Sequence, residues 1–280
     1  MLDILLHTIE HTIKLLPFLF VTYLVLEIIE KKAGDKTEQI LKKSGQFGPV
    51  IGALLGIVPQ CGFSTAASSL FSARVISIGT LISIFLSTSD EMLPILISQA
   101  APISLIIKVI LLIIFIGMIV GIIVDIFIKN KENNQSIHKI CEEDHCNCEE
   151  KGIIKSSISH TLHIFLYIFI ITLILNTIIH FIGEDTIANL VLNIPVVGIV
   201  ISVILGLIPN CASSVILTTL YLDKIISLGS MIAGLLANSG IGLIVLFKLN
   251  KNKKENLKIV LILSIVGIIS GILIDAIKII

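Results

Sequence analysis

Apolar residues run along this chain in long windows rather than at the short periods of strands or surface helices. Residues 8–29, 103–128, 158–182 and 258–280 are windows of more than 20 largely apolar residues with few charges, enough for an α-helix to cross roughly 30 Å of hydrocarbon. Each window predicts a membrane-spanning helix. Two longer apolar tracts, 46–102 and 194–249, are broken by Pro, Gly and clusters of Ser, Thr and Asn.

Both tracts are broken in the same way. Residues 56–61 read GIVPQC and residues 206–211 read GLIPNC. A shift of 150 also aligns Ser64 with Ser214, Ser77 with Ser227, Gly79 with Gly229 and Ser89 with Ser239. It further aligns Gly117 with Gly267, Gly121 with Gly271 and Asp125 with Asp275. The first helices match at a shift of 149, His11-Thr12 falling on His160-Thr161. The chain therefore reads as two homologous halves, 1–129 and 156–280, joined by a linker at 130–155.

Orientation follows from the lysines, because cytoplasmic loops collect Lys and Arg. The 30–44 loop carries Lys31, Lys32, Lys36, Lys42 and Lys43, whereas its counterpart at 182–193 has no base and carries Glu184 and Asp185. The loop near 98–102 is uncharged, whereas its counterpart carries Lys248, Lys251, Lys253, Lys254 and Lys258. Matching loops thus face opposite sides. The expected fold is an all-α polytopic membrane protein of two inverted-topology repeats, with both termini outside the cell membrane and the linker in the cytosol.

Only about 13 residues of the segment 46–73 lie on either side of Pro59, so each arm reaches about halfway across the core. That predicts re-entrant hairpins with tips at Pro59-Gln60-Cys61 and Pro209-Asn210-Cys211, and with Ser64 and Ser214 close behind. The alternative is that the two prolines kink ordinary helices. A second break follows in each half, Ser87-Thr88-Ser89-Asp90-Glu91 and Asn238-Ser239-Gly240, where a crossing helix is expected to unwind. Irregular backbone at membrane depth needs burial in protein or a wet cavity, so these four interruptions predict one central substrate site.

Composition agrees with a membrane chain: 55% hydrophobic and 14% charged residues, with a mean hydropathy of +1.04. The formal net charge of zero gives no ground for a nucleic-acid partner. No basic stretch followed by a small-residue cleavage site opens the chain, so residues 1–29 are read as a mature helix.

Candidate chemistry then falls into groups. Cys61 and Cys211 are thiol ligands or small buried hydrophobes. Asp90 and Glu91 are candidates for proton coupling or cation attraction, since carboxylates within a membrane are costly. Asp125, Asp275, Arg74 and Lys224 fit interfacial positions better. His7 with His11, and His160 with His163, share helix faces but stand in first turns, where a His meets headgroups and water. In the linker, His138, Cys141, His145, Cys146 and Cys148 lie among Glu142, Glu143, Asp144, Glu149 and Glu150. That tract predicts capture of a borderline or soft metal ion on a cytosolic tether. Its spacing matches no zinc-finger pattern.

The duplicated Pro-x-Cys segments, the Ser/Thr-Asp run after the first and the His/Cys-rich central loop resemble the ten-transmembrane heavy-metal exporters. These are distant relatives of the organoarsenical permeases, and some are labelled manganese transporters. The resemblance covers nearly the whole chain and implies efflux of a heavy metal or metalloid: a divalent cation such as manganese or zinc, or a trivalent arsenical. No GxxxxGK[ST] run is present, so transport is expected to be secondary and driven by a proton or ion gradient. HExxH is absent and no enzymatic activity is expected. An ion-coupled carrier for a small oxyanion or organic anion is the alternative, because hairpin tips and helix N-termini suit anions. The expected partners are the lipid bilayer, the transported metal or metalloid and the coupling ion. No resident cofactor is expected, and homo-oligomerisation is compatible with this architecture.

Overall fold

The computed structural model describes residues 47–57, 61–88, 92–128, 153–182 and 195–277. Within the first 46 residues it describes Ile9, Ile13, Leu16, Pro17, Phe20, Val21, Tyr23 and Leu24. Every element among the described residues is helical. The first half contains α1 (Gly48–Gly56), α2 (Cys61–Ser72), α3 (Ile78–Ser87), α4 (Met92–Ser98) and α5 (Ile103–Phe127). After α6 (Ile153–Ile182), the second half repeats them as α7 (Pro195–Gly206), α8 (Cys211–Leu222), α9 (Leu228–Ala237), α10 (Gly242–Leu249) and α11 (Lys253–Ile277). The protein is a multi-pass membrane protein. Among the described residues, Ile103–Phe127, Leu228–Leu249 and Lys253–Ile277 are long and apolar enough to cross a membrane.

Helices α5 and α11 bury one narrow face and leave the rest apolar and outward. The buried positions of α5 include Val109, Ile113, Gly117, Gly121 and Val124. Those of α11 include Ile259, Leu263, Gly267, Gly271 and Ile274, the same face displaced by 150. Opposite them, Ile107, Leu111 and Phe115, and Leu261, Ile265 and Ile269, are exposed, as a lipid-facing surface requires. Helices α3 and α9 are the reverse case, with every residue buried. They touch each other at the centre of the molecule.

Lipid tails are as apolar as leucine, so packing between membrane helices depends on close approach of small residues. Here that approach is backbone to backbone. A β-carbon on Gly121 would lie 2.7 Å from the Gly79 carbonyl oxygen, and one on Gly271 would lie 2.8 Å from that of Gly229.

These contacts also fix helix direction. A β-carbon on Gly48 would lie 3.4 Å from Thr80 Cβ, one on Gly52 3.1 Å from Ile84 Cγ1, and one on Gly56 3.1 Å from Ser87 Cβ. Helices α1 and α3 therefore run parallel. Since α2 joins the end of α1 to the start of α3, α2 runs back against both. In the second half, Gly271 lies against Ile199 and Gly229, whereas Gly267 lies against Val203 and Ala233, so α7 and α9 are also parallel and α8 reverses.

The two halves interlock. Helix α2 packs on α10 of the second half, and α8 packs on α4 of the first. Met92 and Leu96 of α4 share a buried apolar cluster with Leu217 and Leu220 of α8.

Candidate substrate site

In the first half, α1 ends at Gly56 and α2 begins at Cys61. Pro59 and Gln60 lie outside the described residues, as does the side chain of Cys61. The second half is described through its break. Leu207–Asn210 is not helical, and Asn210 caps α8 by accepting a hydrogen bond on Oδ1 from the Ala212 amide at 3.2 Å. Asn210 is buried and Pro209 half-buried. The Cys211 side chain lies outside the described residues. Ser214 is buried one turn into α8, and its carbonyl accepts from Thr218 Oγ1 at 2.7 Å.

At the second pair of breaks the described residues are buried. Helix α3 stops at Ser87, where buried Thr88 turns extended at φ −62° and ψ 123°. Ser89, Asp90 and Glu91 lie outside the described residues. Helix α9 stops at Ala237, and Asn238 Oδ1 accepts from the Gly240 amide at 2.9 Å. Gly240 takes φ 53°, a left-handed conformation that glycine adopts without strain, and α10 restarts at Gly242. Between them Ser239 is 1% exposed, and its hydroxyl has no hydrogen-bond partner among the described residues.

One hairpin arm meets the opposite break. Ser68 Oγ donates to the Gly242 carbonyl at 2.7 Å. A β-carbon on Gly242 would lie 2.8 Å from Ser64 Cβ. Ser64 of the first half therefore packs against Gly242, two residues after Gly240 of the second.

Along α2, Ser64, Thr65, Ser68, Ser69 and Ser72 are all buried. Thr65 donates to the Gly62 carbonyl at 2.8 Å, Ser69 to Thr65 at 3.1 Å and Ser72 to Ser68 at 2.8 Å. Ser87 and Thr88 likewise donate to carbonyls of their own helix, at 2.8 Å each. With their protons turned to backbone carbonyls, these hydroxyls offer lone pairs. Oxygens so arranged suit a cation or a neutral donor better than a bare anion. Sequence reading singled out Ser64 but missed Thr65, Ser68, Ser69 and Ser72, whose signal is hydroxyls spaced by four on one helix in an apolar tract.

Two further polar groups have roles that an interfacial position does not convey. Asp125 Oδ2 accepts from Ser77 Oγ at 2.6 Å and Oδ1 from the Gly79 amide at 2.8 Å. Asp275 holds Ser227 and Gly229 at the same two distances. Each carboxylate ties α5 or α11 to the first turn of α3 or α9, where the helix dipole favours it. Arg74 pairs with Glu255 of the second half, Nη1 to Oε1 at 3.0 Å and Nη2 to Oε2 at 2.8 Å. Its counterpart Lys224 is exposed.

His163 is exposed, with Nδ1 3.2 Å from the Ser159 carbonyl oxygen. His7, His11, the His160 side chain and the linker ligands His138, Cys141, His145, Cys146 and Cys148 lie outside the described residues. Among the described residues, no three His, Cys, Asp or Glu converge in a way that could hold a metal ion.

Residues 2–197 and 170–279 match a family model described as "Putative, 10TM heavy-metal exporter". Neither the curated proteins nor the solved structures contain a match to the chain.

Proposed function

The chain belongs to the 10TM heavy-metal exporter family, and from that membership we propose a secondary transporter that exports a heavy metal or metalloid by alternating access. The observation that carries this reading is the meeting of broken helices in the interior, where buried Ser64 and Ser68 abut the start of α10 at Gly242. Helix ends and loosened backbone inside a membrane protein are where carriers bind cargo. The reversal of α2 and α8 supports re-entrant hairpins, each arm about half a bilayer long. Repetition of both breaks at a shift of 150, with lysines on alternate loops, supports inverted repeats, termini outside and a cytosolic linker.

In this reading the Cys61 and Cys211 thiols, with Gln60, Asn210, Ser87, Thr88, Ser89, Asn238 and Ser239, surround the cargo. Pro59 and Pro209 keep the tips open, Asp90 and Glu91 carry the coupling proton or attract the cation, and Ser64 and Ser214 line the approach. The linker residues His138, Cys141, His145, Cys146 and Cys148 capture metal on the cytosolic side. The lone pairs of the α2 hydroxyls favour a cation, such as manganese or zinc, or a trivalent arsenical over an oxyanion or organic anion.

The test is cell-associated metal in an expressing strain against a vector control, across manganese, zinc, cadmium, arsenite and arsenate. A drop in at least one cation or in arsenite is expected. A drop confined to arsenate would replace this reading with the anion carrier, and no change in any of them would remove the exporter assignment for this set.

A further inference from the structure

At one end of the molecule the two halves are clasped by charge, and at the pseudo-equivalent end no such pair is found among the described residues. Arg74 follows α2 in the turn to α3, and Glu255 sits in the first turn of α11. Their side chains make two parallel N–H···O contacts, at 3.0 and 2.8 Å, between residues 181 positions apart. The guanidinium also lies over the Phe71 ring, 5.1 Å from its centroid. Glu255 is held in turn by Asn250, whose Nδ2 donates to Oε2 at 2.9 Å and to Asn256 Oδ1 at 2.7 Å. Asn250 and Asn256 are buried. The corner α2–α3 is thereby fastened to the corner α10–α11.

Among the described residues, the matching corners at the other end, α8–α9 and α4–α5, show no such fastening. Lys224 stands at Arg74's place, but Leu105 stands at Glu255's. Asp223, Lys224 and Ile225 on one corner, and Ser98, Gln99 and Ala100 on the other, are exposed. Arg74 and Lys224 both take left-handed φ, 60° and 59°, at a helix end where glycine is the usual residue. The backbone conformation is thus shared by the two corners, and the paired carboxylate is what distinguishes Arg74's.

We propose that Arg74 and Glu255 form the closing clasp of the lysine-rich end, holding α2 against the α10–α11 corner in this conformation and parting when that end opens. The inference rests on the alternating-access reading. A carrier must seal one end while the other is open, and an ion pair shared between elements that separate supplies a two-state seal. The clasped end carries exposed Lys251, Lys253 and Lys254, which places the clasp on the cytosolic side under the positive-inside rule.

The test reads access behind the clasp. Ser72, the last residue of α2, is 9% exposed and becomes the reporter as Ser72→Cys. Labelling by a membrane-impermeant maleimide is followed in inside-out vesicles, over the background of the same protein without that cysteine. Arg74→Gln and Glu255→Gln should each raise the labelling rate roughly tenfold, the order expected when a charge pair biasing a two-state equilibrium is lost. The double exchange Arg74→Glu with Glu255→Arg should return it to the slow rate. Should the single variants fail to assemble, the double exchange decides: slow labelling supports the clasp, and fast labelling or failure to assemble overturns it. Single variants that label as slowly as the parent also overturn it. Faster labelling in a protein that exports none of the tested metals would leave the clasp standing and remove the exporter reading, whereas unchanged labelling beside intact export would remove the clasp alone.

Discussion

Ser68 and Gly242 are 174 positions apart, yet the hydroxyl of one donates to the carbonyl of the other at 2.7 Å. The contact joins a hairpin arm of one half to the restart of a broken helix in the other. Neither half completes its own interior.

The tightness of that junction is testable. A methyl on Gly242 would meet Ser64 Cβ at 2.8 Å and Phe85 Cε1 at 2.9 Å, so α2 must shift to admit it. Gly242→Ala should lower stability by about 1–3 kcal/mol, seen as a fall of about 2–10 °C in Tm of the detergent-purified protein. Ser68→Ala should cost less, about 0.5–1.5 kcal/mol, since hydrogen bonds between membrane helices contribute modestly.

Asp125 and Asp275 should behave alike. Because each accepts one hydroxyl and one amide at matching distances, Asp125→Ala and Asp275→Ala should each destabilise by about 1–2 kcal/mol through loss of a helix cap. Thermal unfolding of the two variants compares them directly. A large effect at one and none at the other would contradict the shared role.

Two buried hydroxyls without partners among the described residues separate structure from transport. Ser202 lies within α7 and Ser239 lies at the second-half break. Removing an unsatisfied hydroxyl should leave stability unchanged or slightly improved in both Ser202→Ala and Ser239→Ala. Metal export should fall several-fold only in Ser239→Ala. Equal export by both variants would remove Ser239 from the cargo path.

The thiols can be examined through protection. In a protein keeping only Cys61 and Cys211, labelling by a small permeant maleimide should slow when transported metal is added. Asp90→Asn should reduce export without lowering membrane abundance. Identical labelling with and without metal, together with normal export by Asp90→Asn, would reduce the two Pro-x-Cys breaks to kinks.

Topology has its own check. A tag at residue 135 should be accessible from the cytosol, and tags at 187 and after Ile280 from outside. Tags at 135 and 187 on the same side would contradict the inverted arrangement.

Much of the architecture was legible because membrane helices need long apolar windows and because duplication wrote each break twice. The window at 103–128 became α5 almost residue for residue. Gly56 and Gly206 end their helices, and Cys61 and Cys211 begin the next, as the Gly-x-x-Pro punctuation predicts. What a repeat cannot convey is which half covers which. Ser68 on Gly242 and Arg74 on Glu255 are contacts between unlike positions of the two halves, so self-comparison of the sequence passes over both. Asp125 and Asp275 were visible as an aligned pair beside aligned Ser77/Ser227 and Gly79/Gly229. Their shared role needed the fold, because 46 to 48 residues separate each carboxylate from its donors.

The covering of α2 by α10 also sets an order for biosynthesis. Ribosomes add about 5–20 residues per second, so roughly 9–35 seconds pass between synthesis of Ser68 and of Gly242. During that interval the serine-rich arm packs on α1 and α3 but lacks its α10 cover, and insertion of the second half is what finishes the first. A chain interrupted after residue 129 would therefore present quality-control proteases with an uncovered hydroxyl stripe, and its lifetime in the membrane should be short.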